Sequence, residues 1–230
     1  MQLKKTATKT SLALALALTA TLGLGACGSS NDSATAAGSS SSTLQTTAAT
    51  AVATVPAVPG GTTAVALDAD FVAALGTLGL TPGVVGGATL ADGTVTFPIT
   101  GGTVTLYDRE SGYRPWVQGV LFHEGSGLSL TAGATKVELT DFTIDPGKPA
   151  RLFGNVSVNG RLAASSAPLF NLDGSTLKPP TMTADGSAVL AGTGVKLSPE
   201  AAALLNTTFS TDALAGGLLV GISTITVQTK

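Results

Sequence analysis

The chain has 230 residues, only 11% of them charged, with 12 Lys and Arg, 14 Asp and Glu, one His, one Cys and 29 Gly. A formal net charge of −2 offers no basic face for nucleic acid or anionic lipid headgroups, and a single cysteine excludes disulfides, CxxC redox centres and Cys-ligated zinc. The scarcity of titratable groups argues against an enzyme.

The chain opens with Lys4, Lys5 and Lys9, an apolar run from Leu12 to Leu24, and the four residues Leu24-Gly25-Ala26-Cys27. This layout predicts a lipoprotein signal peptide over residues 1–26, its apolar run shorter than the ~20 residues a spanning helix needs. Cys27 becomes the acylated N-terminus, palmitate among its chains, and tethers the secreted protein to a membrane. Beyond the leader nine basic residues face 14 acidic ones, a net charge of −5. Gly28 follows Cys27 where an Asp would retain the protein at an inner membrane, so a diderm host implies the outer membrane. Residues 27–60 are rich in Ser, Thr and Ala and hold few large apolar side chains. They read as a flexible tether with an r.m.s. span of about 30 Å.

Residues 61–230 read as one domain. Thr63 to Leu67 alternates as a strand, and Phe71, Ala74, Leu75 and Leu78 recur at helical spacing behind the caps Asp68 or Asp70. DGTVTF and GGTVTL, around Val95-Phe97 and Val104-Leu106, look like two arms of one hairpin. A strand from Trp116 to His123 precedes a turn at Glu124-Gly125-Ser126-Gly127 and a further strand through Leu128 and Leu130. Between Lys136 and Asp145 the inward set changes phase from Val137 and Leu139 to Phe142 and Ile144. That shift predicts a bulge near Thr140-Asp141. Asn159-Gly160 is a two-residue hairpin signal. Lys178-Pro179-Pro180 reads as loop, Ser198-Pro199-Glu200 opens a helix ending near Asn206, and Leu218 to Val227 closes the chain as a strand. The sum is a mainly β fold, an antiparallel β-sandwich or partly closed barrel with two short helices.

His123 is the only histidine, so any serine triad or multi-His metal site depends on it. Ser126 and Ser129 lie near it, but no G-x-S-x-G elbow is present. Asp68-x-Asp70, Asn171-x-Asp173 and Asp145-Pro-Gly147 have oxygen donors for a hard cation, and all three also read as helix caps or turns. An enzyme would require a carboxylate pair facing a pocket, such as Glu138 with Asp141. The segment from Asp108 to Trp116 holds Arg109, Arg114, Tyr113 and the sole Trp, a composition suited either to partner contact through Trp116 and Arg114 or to a plain connecting loop.

Phe97-Pro98-Ile99-Thr100-Gly101-Gly102, then Gly119-Val120-Leu121-Phe122-His123-Glu124-Gly125 with Leu128-Ser129-Leu130, resembles the HtaA-type domain of actinobacterial cell surfaces. The resemblance covers roughly residues 90–160 and rests on glycines and strand residues. It implies haem capture, with His123 in the place of the motif histidine. The family's iron-ligating tyrosine has no counterpart in residues 70–78, where Phe71 is the only aromatic, which leaves Tyr107 and Tyr113 as substitutes. Two function classes follow. One is a non-enzymatic module binding haem or another small ligand near His123, Tyr113 and Tyr107. The other is a structural or adhesive envelope protein that contacts a partner through Trp116 and Arg114.

Overall fold

The computed structural model describes residues 49–230. Cys27, the leader and most of the expected tether lie outside these residues. Thirteen strands are present among them: β1 (Ala51–Val55), β2 (Gly61–Leu67), β3 (Thr81–Gly86), β4 (Thr89–Ala91), β5 (Thr94–Pro98), β6 (Gly101–Tyr107), β7 (Val117–Ala132), β8 (Thr135–Asp145), β9 (Arg151–Val158), β10 (Arg161–Asp173), β11 (Thr181–Met182), β12 (Ala188–Leu197) and β13 (Leu219–Val227). Two helices join them, α1 (Ala69–Thr77) and α2 (Pro199–Phe209). The strands form a single sheet in the order β1-β6-β7-β8-β9-β10-β12-β13-β2-β5-β4, with β3 added to the second half of β7 and β11 to β12. Every pairing is antiparallel. The sheet curls into a half-barrel, the partly closed barrel of the two expected architectures.

The curl depends on how β5 leads into β6. The two strands are not a hairpin, contrary to the expectation from their sequences: β5 pairs with β2 and β4, and β6 with β1 and β7. The two connecting residues, Ile99 and Thr100, are β-branched and unsuited to the positive φ of a tight primed turn. Instead the chain crosses from one side of the sheet to the other. Ile99 N–H donates to Gly61 O at 2.9 Å, and Thr100 N–H donates to Phe122 O at 2.8 Å. Two consecutive residues therefore bridge β2 and β7, which share no ladder.

The turn expected at Glu124–Gly127 is a bulge inside one 16-residue strand. His123 opposes Phe142 and Gly127 opposes Thr140, so Glu124 to Ser126 face the lone Asp141 of β8. Asp141 takes φ 54° and accepts Gly125 N–H at 2.9 Å; its other oxygen accepts from Thr140 and Asn155. The bulge expected at Thr140-Asp141 is thus present. It resets the pleat so that Val137, Leu139, Phe142 and Ile144 are all buried on the inner face. Gly154 opposite lets the strands close, since a Cβ there would stand 2.8 Å from both Leu169 Cδ1 and Phe142 Cδ1.

Asp68 caps α1 by accepting Asp70 and Phe71 N–H, and Leu75 anchors the helix in the core. Ser198 caps α2, accepting Ala201 N–H while donating to Pro168 O, and Ala201, Ala202 and Leu205 face the sheet. This helix runs past Asn206 to Phe209 before Ser210 ends it with φ 53°. The Asn159-Gly160 hairpin forms as expected, with φ 51° and 77°. β1 lies inside the stretch read as tether, where Val58 is also buried. β3, β4, β11 and β12 have no counterpart among the expected elements. In β12, Gly192 and Gly194 interrupt the alternation that marks a strand.

Candidate functional site

The inner face of the half-barrel encloses a cavity of about 760 Å³. Leu121, Phe142, Ile144, Leu152, Phe170 and Ile225 form its walls, drawn from β7, β8, β9, β10 and β13. Its mouth lies where the β6–β7, β8–β9 and β10–β12 connections converge and contribute Arg114, Trp116, Lys148 and Met182. Among the described residues no Asp, Glu, Cys or Tyr lines it, and the charged side chains there are Arg114 and Lys148. An apolar chamber with a few polar groups at its rim is the usual form of a small-molecule site.

His123 sits in mid-strand on β7, 1% exposed, in the cavity wall. Its Nδ1 is 3.3 Å from Phe142 O and its Nε2 is 2.8 Å from Thr63 Oγ1. A carbonyl oxygen only accepts, so Nδ1 carries the proton and Nε2 accepts the Thr63 hydroxyl. Burial drives the imidazole pKa from 6.5 down to about 4, against the opposing pull of the Phe142 carbonyl. The ring is therefore neutral at physiological pH. Phe97 packs edge-on at 6.5 Å between centroids and continues through Phe142 to Phe170 as an aromatic row. Ser126 Oγ donates to the His123 backbone carbonyl, not to the imidazole.

The segment from Asp108 to Trp116 builds one side of the mouth. Asp108 caps a single 3₁₀ turn at Arg109–Ser111. Arg114 donates to the carbonyls of Tyr113 and Arg109, at 2.8 and 3.0 Å. The Arg109 guanidinium stacks 4.8 Å from the centre of the Trp116 ring and donates to Leu177 O across the mouth. Tyr107 and Tyr113 pack on each other with centroids 4.5 Å apart and are not among the lining residues. Of the residues singled out in the sequence, His123, Trp116 and Arg114 share the cavity, and the two tyrosines form a separate pair. Sequence patterning gave no site role to Thr63, Phe97 or Lys148, which all line the cavity. Thr63 is 60 positions from the histidine it binds, so no local signal could link them.

No family model matches the chain, and no curated protein sequence does. Among solved structures, the C-terminal domain of HtaA from Corynebacterium glutamicum superposes with a TM-score of 0.51, covering 75% of this chain and 99% of that domain at 15% identity. The chain has the HtaA-domain fold. The heme binding protein HtaB from the same organism gives a TM-score of 0.44 at 11% identity, over 77% of this chain and 96% of its own.

Outside the cavity of this HtaA-type fold, several carboxylates serve structure. Asp68 caps α1, Asp145 accepts Gly147 N–H, and Asp173 pairs with Lys196, which holds its carboxyl well below the usual range. Glu138 pairs with Lys136, while Asp141 is bound into the bulge. Among the described residues no three of His, Cys, Asp and Glu converge on a metal-sized site.

Proposed function

We propose that this chain is a non-enzymatic ligand-binding domain that holds haem in its half-barrel, tethered to the outer face of a bacterial membrane through acylated Cys27. The observation that carries the reading is the cavity. Its volume of about 760 Å³ lies within the ~300–1,000 Å³ usual for small-molecule sites, and its walls suit a flat apolar ring. Arg114 and Lys148 at the mouth match the two carboxylates such a ring carries. The fold shared with the HtaA domain and the motif residues around His123 support the same ligand. The deep imidazole is a poor general base, being neutral with a pKa of about 4, far from the operating range of efficient proton transfer.

The test is a haemin titration of the chain beyond the leader, followed by absorbance. A saturable one-to-one Soret change supports the reading. A titration indistinguishable from a protein-free blank removes it and leaves a structural or adhesive domain acting through the Trp116 loop. Tethering is tested separately, by loss of membrane fractionation in Cys27→Ser.

A further inference from the structure

We propose that the half-barrel holds its tetrapyrrole by the ring and the carboxylates alone, with no protein ligand to the metal, so that metal-free protoporphyrin binds as well as haemin. This rests on the ligand-binding reading above and specifies how that ligand is recognised.

The side chains suited to ligating haem iron are few enough to place one by one, because the chain has one His, one Cys, two Tyr and two Met. His123 has both ring nitrogens engaged, Nε2 by Thr63 and Nδ1 by Phe142 O, and is 1% exposed. To reach iron it would have to release Thr63 and swing out from against Phe97. Tyr107 and Tyr113 pack ring against ring, and neither is among the residues that line the cavity. Met1 and Cys27 precede the described residues, the first within the expected leader and the second its expected acylation site. Met182 remains, a thioether at the mouth, 63% exposed on the short strand β11. In cytochromes c such a thioether is paired with an imidazole, and none is free here.

What the cavity does supply is independent of iron. The walls bury the faces of an apolar ring. At the rim Arg114 uses its two terminal nitrogens on Tyr113 O and Arg109 O and still has donors to spare, and Lys148 is exposed. With no carboxylate among the described lining residues, both cations face the cavity without an acidic partner there.

Trp116, the only tryptophan in the chain, lines the cavity and reports occupancy by quenching. Haemin and protoporphyrin IX are titrated separately into the chain beyond the leader, carrying Cys27→Ser so that it stays free of lipid. The expected result is one-to-one quenching by both, with dissociation constants within about threefold of each other. The double variant Arg114→Glu/Lys148→Glu, altered only at exposed positions, weakens both ligands alike by about tenfold or more. The Soret band of bound haemin is unchanged by Met182→Leu and by His123→Gln. Haemin binding at least about tenfold tighter than protoporphyrin, or a Soret band moved by either substitution, overturns the proposal while leaving the ligand-binding reading intact. If neither porphyrin quenches Trp116, that reading fails and the proposal fails with it.

Discussion

Thr63 of β2 and His123 of β7 are joined by a 2.8 Å hydrogen bond across the seam where the sheet does not pair with itself. The bond lies beside the Ile99 and Thr100 crossing and has the same effect, since both tie β2 to β7 where no ladder can. Thr63 and His123 are 4% and 1% exposed, so neither has water as an alternative partner. Thr63→Val keeps the shape and removes the hydroxyl, which strands a buried ring nitrogen. The expected loss is about 1–3 kcal/mol of unfolding free energy, measured by urea denaturation, with Thr63→Ser retaining most of it. Equal stability of the Val variant would show that the seam is held by packing alone.

His123 also gives the domain a pH dependence of defined sign. Its folded pKa of about 4 lies below the ordinary 6.5, so between these values the unfolded chain binds a proton that the folded one refuses. Stability is complete above about pH 6.5, falls as the pH drops, and stops falling from this source below about 4. At pH 5 the loss relative to pH 7.5 is on the order of 2 kcal/mol. His123→Gln removes the titrating group, and urea midpoints at the two pH values should then converge. A variant that keeps the full wild-type loss would assign the effect to other groups.

Local patterns in the sequence located most of what is local in the structure. Asp68 and Ser198 announce helices because capping is a matter of two or three residues, and the phase change between Leu139 and Phe142 marks a bulge because alternation has a fixed period. Where the determinant is distant, the pattern misleads. Glu124-Gly125-Ser126-Gly127 has the composition of a turn, yet Asp141 captures Gly125 N–H and β7 continues through it. The two T-V-T stretches alternate alike, and only the β-branched pair between them, Ile99 and Thr100, separates a seam crossing from a hairpin. The site follows the same division: His123 is conspicuous as a lone residue, whereas its partner and its cavity exist only once the sheet has curled.

Asp141 carries the bulge through two properties that can be separated. Its φ of 54° is tolerated by Asp, Asn or Gly but strains a β-branched side chain, and its carboxylate accepts three hydrogen bonds. The Gly125 amide, foremost among these partners, lowers the carboxyl pKa. Asp141→Gly should therefore lose only the side-chain bonds, about 1–2 kcal/mol, while Asp141→Val adds backbone strain of about 1–2 kcal/mol more. Thermal denaturation of the pair checks the order. Equal melting temperatures would mean that backbone conformation contributes nothing at this position.

Filling the chamber tests whether the cavity is a binding site or merely loose packing. Leu190 of β12 lines it and is only half-buried, so a larger ring at this position can grow into empty space and avoid its neighbours. Small-to-large changes in a packed core cost about 1–3 kcal/mol, but beside a void the added contacts offset much of that. Leu190→Trp is expected to keep the melting temperature within about 4 °C of wild type. It should weaken haemin binding, followed at the Soret band, by about tenfold or more, because the indole occupies volume the ring needs. A stable Leu190→Trp that binds haemin at full affinity would move the ligand out of the half-barrel and onto its outer surface.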